Sequence, residues 1–367
     1  MYRRVAGVGL ALTMLVAGCG HSSSTSQGPA TSSTPVPSVA TSSTRAASAT
    51  SQAARDLPDP HTLRGLTEVP ELPDPKPVEG SSAQKLPVTV TDVEGNKVTI
   101  KSTSRILALD LYGTLSRTLI GLGLGDKIVG RTVSSTEKQL HDRPVVTENG
   151  HVLNVEAVAG LKPSVIIADR SVGPKEALDQ LRKSGIPVVL VDPHRSVDST
   201  PQLIRTIADA VGKPDAGEAL VKRTQEQIDQ AKKQIAAWKP AKPMRVAFLY
   251  VRGNAGVFFI LGSENGASEL IQGVGADDVA SDKGITTLVP ANAESLVSIN
   301  PDAIFVMRDG LASTGGMKGL LARAGVANTT AGRKQRVISI PDGISLSFGP
   351  QTGEVLTAVA KALYGVK

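Results

Sequence analysis

Beyond about residue 85 the apolar residues come in short unbroken runs, and the stretches between them alternate apolar and polar positions at helical spacing. Arg105-Ile-Leu-Ala-Leu109, Ser164-Val-Ile-Ile-Ala168 and Pro187-Val-Val-Leu-Val191 have the length and composition of strands buried on both faces. Pro174 to Gly185 reads as a helix closed by its glycine. Strand and helix in alternation predict an α/β unit with a mainly parallel sheet. The second half repeats the scheme with Arg245-Val-Ala-Phe-Leu249, Ala303-Ile-Phe-Val306 and Arg336-Val-Ile-Ser-Ile340.

The repeat extends to a local motif. Asn154-Val-Glu156-Ala-Val-Ala-Gly-Leu-Lys-Pro163 and Asn292-Ala-Glu294-Ser-Leu-Val-Ser-Ile-Asn-Pro301 each place Glu seven positions before Pro, and an apolar strand follows both. Two lobes on one plan explain this most simply. Between them, Asp215 to Trp238 contains no Pro and one Gly, with Leu220, Ile228 and Ile235 recurring at helical spacing. Lys239-Pro240 ends it. A single long helix predicts a stiff connection and small closure motions.

The first 85 residues have a different character. Arg3 and Arg4, the apolar run Val5 to Val16, and Val16-Ala17-Gly18-Cys19 read as a signal peptide with a small-residue cleavage box. The run is shorter than the roughly twenty residues of a membrane span. Cys19 is the one cysteine of the chain, so no internal disulfide is available. Its position marks it as a lipidation site, where two or three acyl chains give stable anchoring. From Gly20 to about Gln52 the chain is mostly Ser, Thr, Ala, Pro and Gln, and Pro-rich pieces continue to Pro77. Such a stretch has little to bury and predicts a disordered tether. The expected organisation is therefore signal peptide 1–18, lipidated tether 19–85, N-terminal lobe 86–200, linking-helix region 201–241 and C-terminal lobe 242–367.

Charge and motifs exclude more than they assign. The net charge of +6 includes Arg3 and Arg4, leaving +4 (6 − 2) after cleavage, set against forty Lys+Arg and thirty-four Asp+Glu. With no basic block, nucleic-acid binding is not expected. Gly343-Ile-Ser345-Leu-Ser347-Phe-Gly349 has its glycines in the wrong places for a nucleophile elbow. Gly121-Leu-Gly123-Leu-Gly125 follows a helical stretch and so fails as a dinucleotide loop. An enzyme is not expected.

Residues from about Val88 to Lys367 resemble the class III substrate-binding proteins that serve vitamin B12, siderophore and haem importers. The paired Glu-x6-Pro motifs carry the resemblance, together with the Arg105–Leu109 strand followed by Ile120-Gly-Leu-Gly-Leu-Gly-Asp126-Lys-Ile-Val-Gly130. The resemblance implies two α/β lobes, each with a mainly parallel sheet and flanking helices, joined by one long rigid helix, with the ligand in the cleft between them. It implies that Glu156 and Glu294 dock on arginines of an ABC permease, although a Glu early in a helix also simply complements the helix dipole.

The cargo is read from fewer residues. One Trp and four Tyr supply few stacking rings, and there is no His-rich loop for zinc. His151 lies in Asn149-Gly150-His151-Val152-Leu153-Asn154, while Tyr250 and Arg252 alternate along a predicted strand and so share a face. This pattern resembles the haem-binding lipoproteins of Gram-positive haem importers. The resemblance implies haem b (hemin) as cargo, His151 and Tyr250 as axial ligands of its iron, and Arg252 supporting the tyrosine. Ferric iron favours a hard anionic oxygen, and tyrosinate is an established haem ligand. Arg131, Arg170 and Arg195 follow predicted strands as candidate propionate partners, and His194 borders the cleft as the second choice of ligand. The partners expected are the permease and other cell-surface haem-binding proteins, with the chain a monomer on the outer face of the cell membrane. A ferric siderophore or cobalamin is the alternative cargo, and a structural envelope lipoprotein the alternative outside transport.

Overall fold

In the computed structural model, the described residues are 57–79, 83–253 and 256–367. Cys19, the signal peptide and the tether up to residue 56 lie outside them. The first lobe is built on four parallel strands in the order Ile128–Gly130, Ile106–Leu109, Val165–Ala168 and Val188–Leu190. Alternation assigns their side chains to two cores. Ile106, Ala108, Val165 and Ile167 enter one, and Leu107, Leu109, Ile166 and Ala168 the other. Both faces are therefore dry, which is why these strands read as unbroken apolar runs.

The second lobe has a seven-stranded sheet. Leu66–Glu68, Val337–Ile340, Ala303–Met307 and Arg245–Arg252 are parallel neighbours in that order. Val257–Ile260 and Val289–Pro290 continue the sheet antiparallel, and Asp277–Asp278 pairs with the start of Arg245–Arg252. Val246 and Phe248 face one core, and Ala247, Leu249 and Val251 the other.

The linking helix, Pro214–Trp238, belongs to both lobes. Ala216, Leu220 and Val221 pack into a first-lobe core, whereas Ala231 and Ile235 pack into a second-lobe core. Full burial of one large aliphatic side chain contributes about 1.5–3 kcal/mol. Swinging either lobe off the helix would expose several at once, so the connection is stiff.

The tether expectation needs correction over its last third. Residues 57–79 form a strap across the second lobe and onto the first. Leu66–Glu68 is an edge strand, Val69 is fully buried and Glu71 pairs with Arg308 at 2.7 Å. The Pro73 carbonyl accepts from Gln351 at 2.9 Å, while Asp74 accepts from the Lys138 and Gln139 amides at 2.8 and 2.9 Å. Val78 N–H donates to the Gly121 carbonyl at 2.9 Å. Proline density does not distinguish the two, because an extended strap favours proline as much as a free linker does. Its sparse apolar residues are buried at Val69 and Val78, and Leu72 packs on a core.

Candidate functional site

Both lobes point the carboxyl ends of their parallel strands toward one another, the position where open α/β sheets present ligand sites. Contacts across the gap define that arrangement. Arg117 of the helix Thr114–Gly121 donates from Nε to the Gly343 carbonyl at 3.2 Å and from Nη1 to Gln351 Oε1 at 2.8 Å. Glu269 accepts from Val197 N–H at 3.2 Å, and Tyr112 and Val197 pack against the second-lobe core.

On the first-lobe edge, Asp110 and Asp169 each follow a central strand and are buried, with the Arg195 guanidinium between them. Arg195 pairs with Asp169 and lies 3.6 Å from Asp110, and its charge sits 5.5 Å above the Tyr112 ring. Burial, reinforced by the Asp169 carboxylate and only partly offset by Arg195, raises the Asp110 carboxyl to about 7. Leu111 and Val133 stand 39% and 43% exposed just beyond strand ends, which gives this edge apolar surface.

The four flanking candidates of this lobe separate on their partners. Arg195 is enclosed by carboxylates and buried, so it builds the lobe edge. Arg170 is held by Glu94 and Asp179, at 2.8 and 2.9 Å, which raises its pKa above the ordinary arginine value despite partial burial. Neither guanidinium is open to a ligand carboxylate in this structure. Arg131 follows Ile128–Gly130 and meets no carboxylate among the described residues; its side chain makes only long bonds to the Thr132 and Ser135 carbonyls, at 3.5 and 3.4 Å. His194 is exposed, and its amide donates to Asp192 at 2.8 Å.

His151 lies at the tip of a small hairpin, Thr147–Glu148 paired with Val152–Leu153. The turn passes through positive φ at Asn149 and Gly150, where asparagine and glycine are the tolerated residues. The His151 carbonyl accepts from Gly173 N–H at 2.9 Å, which ties the hairpin to the loop beyond Val165–Ala168 and leaves the residue exposed.

Tyr250 is half-buried near the end of Arg245–Arg252, opposite Phe259 of the neighbouring strand. Arg252, two residues on, sits on the same face with Cζ 5.1 Å from the ring centroid. Its Nη2 donates to Asp342 Oδ1 at 2.5 Å and approaches Met307 Sδ at 3.4 Å. Glu156 and Glu294 are exposed near the starts of Val155–Gly160 and Ala293–Ile299, whose N-caps are Asn154 and Asn292. One glutamate thus lies on each lobe. A concavity of about 800 Å³ lies elsewhere, walled by the strap, the linking helix and the last helix Thr352–Tyr364. It touches neither His151 nor Tyr250, and its side chains include no convergent iron donors.

The periplasmic binding protein family matches residues 111–343, more than half of the chain. The chain belongs to that family. As a periplasmic binding protein it is a ligand carrier outside the cytoplasm and not an enzyme. The heme binding protein HmuT has a crystal structure 49% identical over 84% of this chain and all of its own, with a TM-score of 0.83. Similar structures include forms of it in which a histidine, a tyrosine or an arginine is replaced. The periplasmic heme-binding protein RhuT of Roseiflexus sp. RS-1 is 32% identical over 72% of this chain and 99% of its own, with a TM-score of 0.67. The ABC transporter substrate-binding lipoprotein YvrC of Bacillus subtilis is 27% identical over 76% of this chain and 86% of its own length.

Sequence reasoning missed the acidic half of this binding protein's cleft. Asp110 and Asp169 each stand directly after a buried strand, which was a visible signal. Asp342 stands two residues after Val337–Ile340 in the same way, but its partner Arg252 is 90 positions away and no local spacing links them.

Proposed function

We propose that this binding protein captures ferric haem between its lobes and delivers it to an ABC importer for iron uptake. His151 and Tyr250 serve as axial ligands, Arg252 supports the tyrosine and Arg131 receives a propionate. The observation that carries the reading is Tyr250 lying beneath the Arg252 guanidinium on the cleft edge of the second lobe. Tyrosinate is the anionic oxygen donor that ferric iron prefers.

Two further facts support it. In HmuT the replaced histidine and tyrosine are 99 positions apart and the arginine two further, the separations of His151, Tyr250 and Arg252 here. His151 and Tyr250 also stand on opposite lobes, each near the carboxyl end of its lobe's parallel strands. Hemin titration of the purified chain should develop a Soret band at one equivalent. His151→Ala/Tyr250→Ala should abolish tight uptake, and an unchanged titration would place the iron elsewhere. A chain that takes up cobalamin or a ferric siderophore but not hemin would move the cargo to another member of the class.

Delivery uses Glu156 and Glu294 as one contact per lobe with the permease, and Cys19 carries the lipid that retains a monomeric protein on the outer face of the cell membrane, where other haem-binding proteins supply it. Charge reversal at both glutamates should weaken permease capture and leave hemin affinity unchanged. Cys19→Ala should release the protein from the membrane fraction.

A further inference from the structure

We propose that Asp342 is a positioning residue for the iron-ligating tyrosine, acting through Arg252 to hold positive charge beside the Tyr250 oxygen. The inference rests on the haem reading above and adds a residue to it.

Arg252 is poorly restrained by anything else. Its Nη1 is buried without a hydrogen-bond partner, and its contact with Met307 Sδ is long and weak. Gly310 leaves room for it, since a Cβ there would stand 2.6 Å from Nη1 and 2.5 Å from the Val251 carbonyl. An arginine side chain has many rotamers, so a point of attachment decides where its charge resides. Asp342 supplies that point, accepting at 2.5 Å from Nη2.

Asp342 is itself immobilised. Its second oxygen accepts from the Asp309 amide at 2.8 Å, so the carboxylate cannot turn without losing one bond. The next residue is clamped by the first lobe: the Gly343 carbonyl accepts from Arg117, and Thr136 packs against Gly343 so closely that a Cβ would fall 1.9 Å from its hydroxyl. The chain of contacts thus runs from the tyrosine through Arg252 and Asp342 to the opposite lobe. The competing role for Asp342 is purely structural, capping the helix Arg308–Ser313 through the Asp309 amide.

A double-mutant cycle separates the two roles. Transfer of ferric haem from the purified chain to excess apomyoglobin would be timed for wild type, Asp342→Ala, Arg252→Ala and the double variant, with circular dichroism as a check on folding. Asp342→Ala should speed haem loss about tenfold, the scale of one charge-assisted hydrogen bond. It should also weaken the tyrosinate-to-iron charge-transfer band. In the Arg252→Ala background the same change should alter neither. Wild-type kinetics in Asp342→Ala, or the same factor with and without Arg252, would overturn the positioning role. Should Asp342→Ala not fold, Asp342→Asn carries the cycle; its amide oxygen still accepts from Arg252, so a smaller effect that vanishes without Arg252 is expected, and a persistent one refutes the proposal. Absence of hemin uptake by the wild type would instead refute the haem reading, and this inference with it.

Discussion

Tyr250 and His151 occupy corresponding edges of the two lobes but are held very differently. Tyr250 is the sixth residue of an eight-residue strand paired on both sides, and a guanidinium fastened to a carboxylate lies over its ring. His151 sits on the tip of a hairpin with two-residue arms, exposed and attached beyond the hairpin through its backbone carbonyl. The difference is chemical as well as mechanical. An anionic donor needs an organised countercharge, and strands with interlocked cores supply fixed positions. An imidazole donor needs none, and in the proposed site a short loop would let His151 approach a ligand seated on the other lobe. In the proposed haem site the C-terminal lobe would therefore be the preformed half and the N-terminal lobe the adjustable half.

The sharpest break of this comparison is removal of the tyrosine. Tyr250→Ala should reduce ferric haem affinity by on the order of a hundredfold, about 2.7 kcal/mol, as read from competition titrations. His151→Ala should cost less, about tenfold or 1.4 kcal/mol, and should leave five-coordinate haem with the tyrosinate spectrum retained. The reverse ranking would mean that the loop, not the strand, dominates binding.

Closure of the lobes should matter next. Gly343→Ala pushes a methyl group into Thr136 across the gap. The expected result is a several-fold loss of affinity with little loss of thermal stability, because the clash touches neither core. Thr136→Ala in the same chain should restore part of it.

The effect least tied to ligand binding concerns the first-lobe edge. Asp110 has its folded pKa raised to about 7 by burial and Asp169. A carboxyl raised above its unfolded value of about 3.9 adds stability that is fully present below the unfolded pKa and lost as pH rises through the folded one. The window is therefore about pH 4 to 7. Asp110→Asn removes that dependence, so relative to wild type the variant should gain roughly 2–4 °C in Tm per kcal/mol as pH rises across the window. A difference in Tm that stays constant from acid to neutral pH would show that Asp110 keeps its proton state on folding.

Much of the molecule was legible in the chain. Runs such as Ile106–Leu109 announced parallel strands because they must be apolar on both faces. The linking helix was marked by Leu220, Ile228 and Ile235, all three of which are buried. The duplicated motif with Glu seven positions before Pro located matched helices, and the structure adds that Asn154 and Asn292 cap them. Tyr250 and Arg252 share a face for the same reason: a strand repeats every two residues.

What the chain alone could not supply was the partner of each charge. Arg131, Arg170 and Arg195 look alike in sequence, each near the end of an apolar run. Folding brings Glu94 and Asp179 to Arg170 and Asp110 and Asp169 to Arg195, and it brings no acid to Arg131 among the described residues. The strap over residues 57–79 is a second case. Its prolines and few apolar residues suit a free linker equally well until the far lobes offer Ser339, Gln351 and Gly121 as hydrogen-bond partners. Local sequence determined the elements and the faces they bury, since periodicity and capping act over a few residues. Only the tertiary structure decided which charges are neutralised and which stay free, because the strength of an ion pair depends on distance and burial between segments up to a hundred or more residues apart.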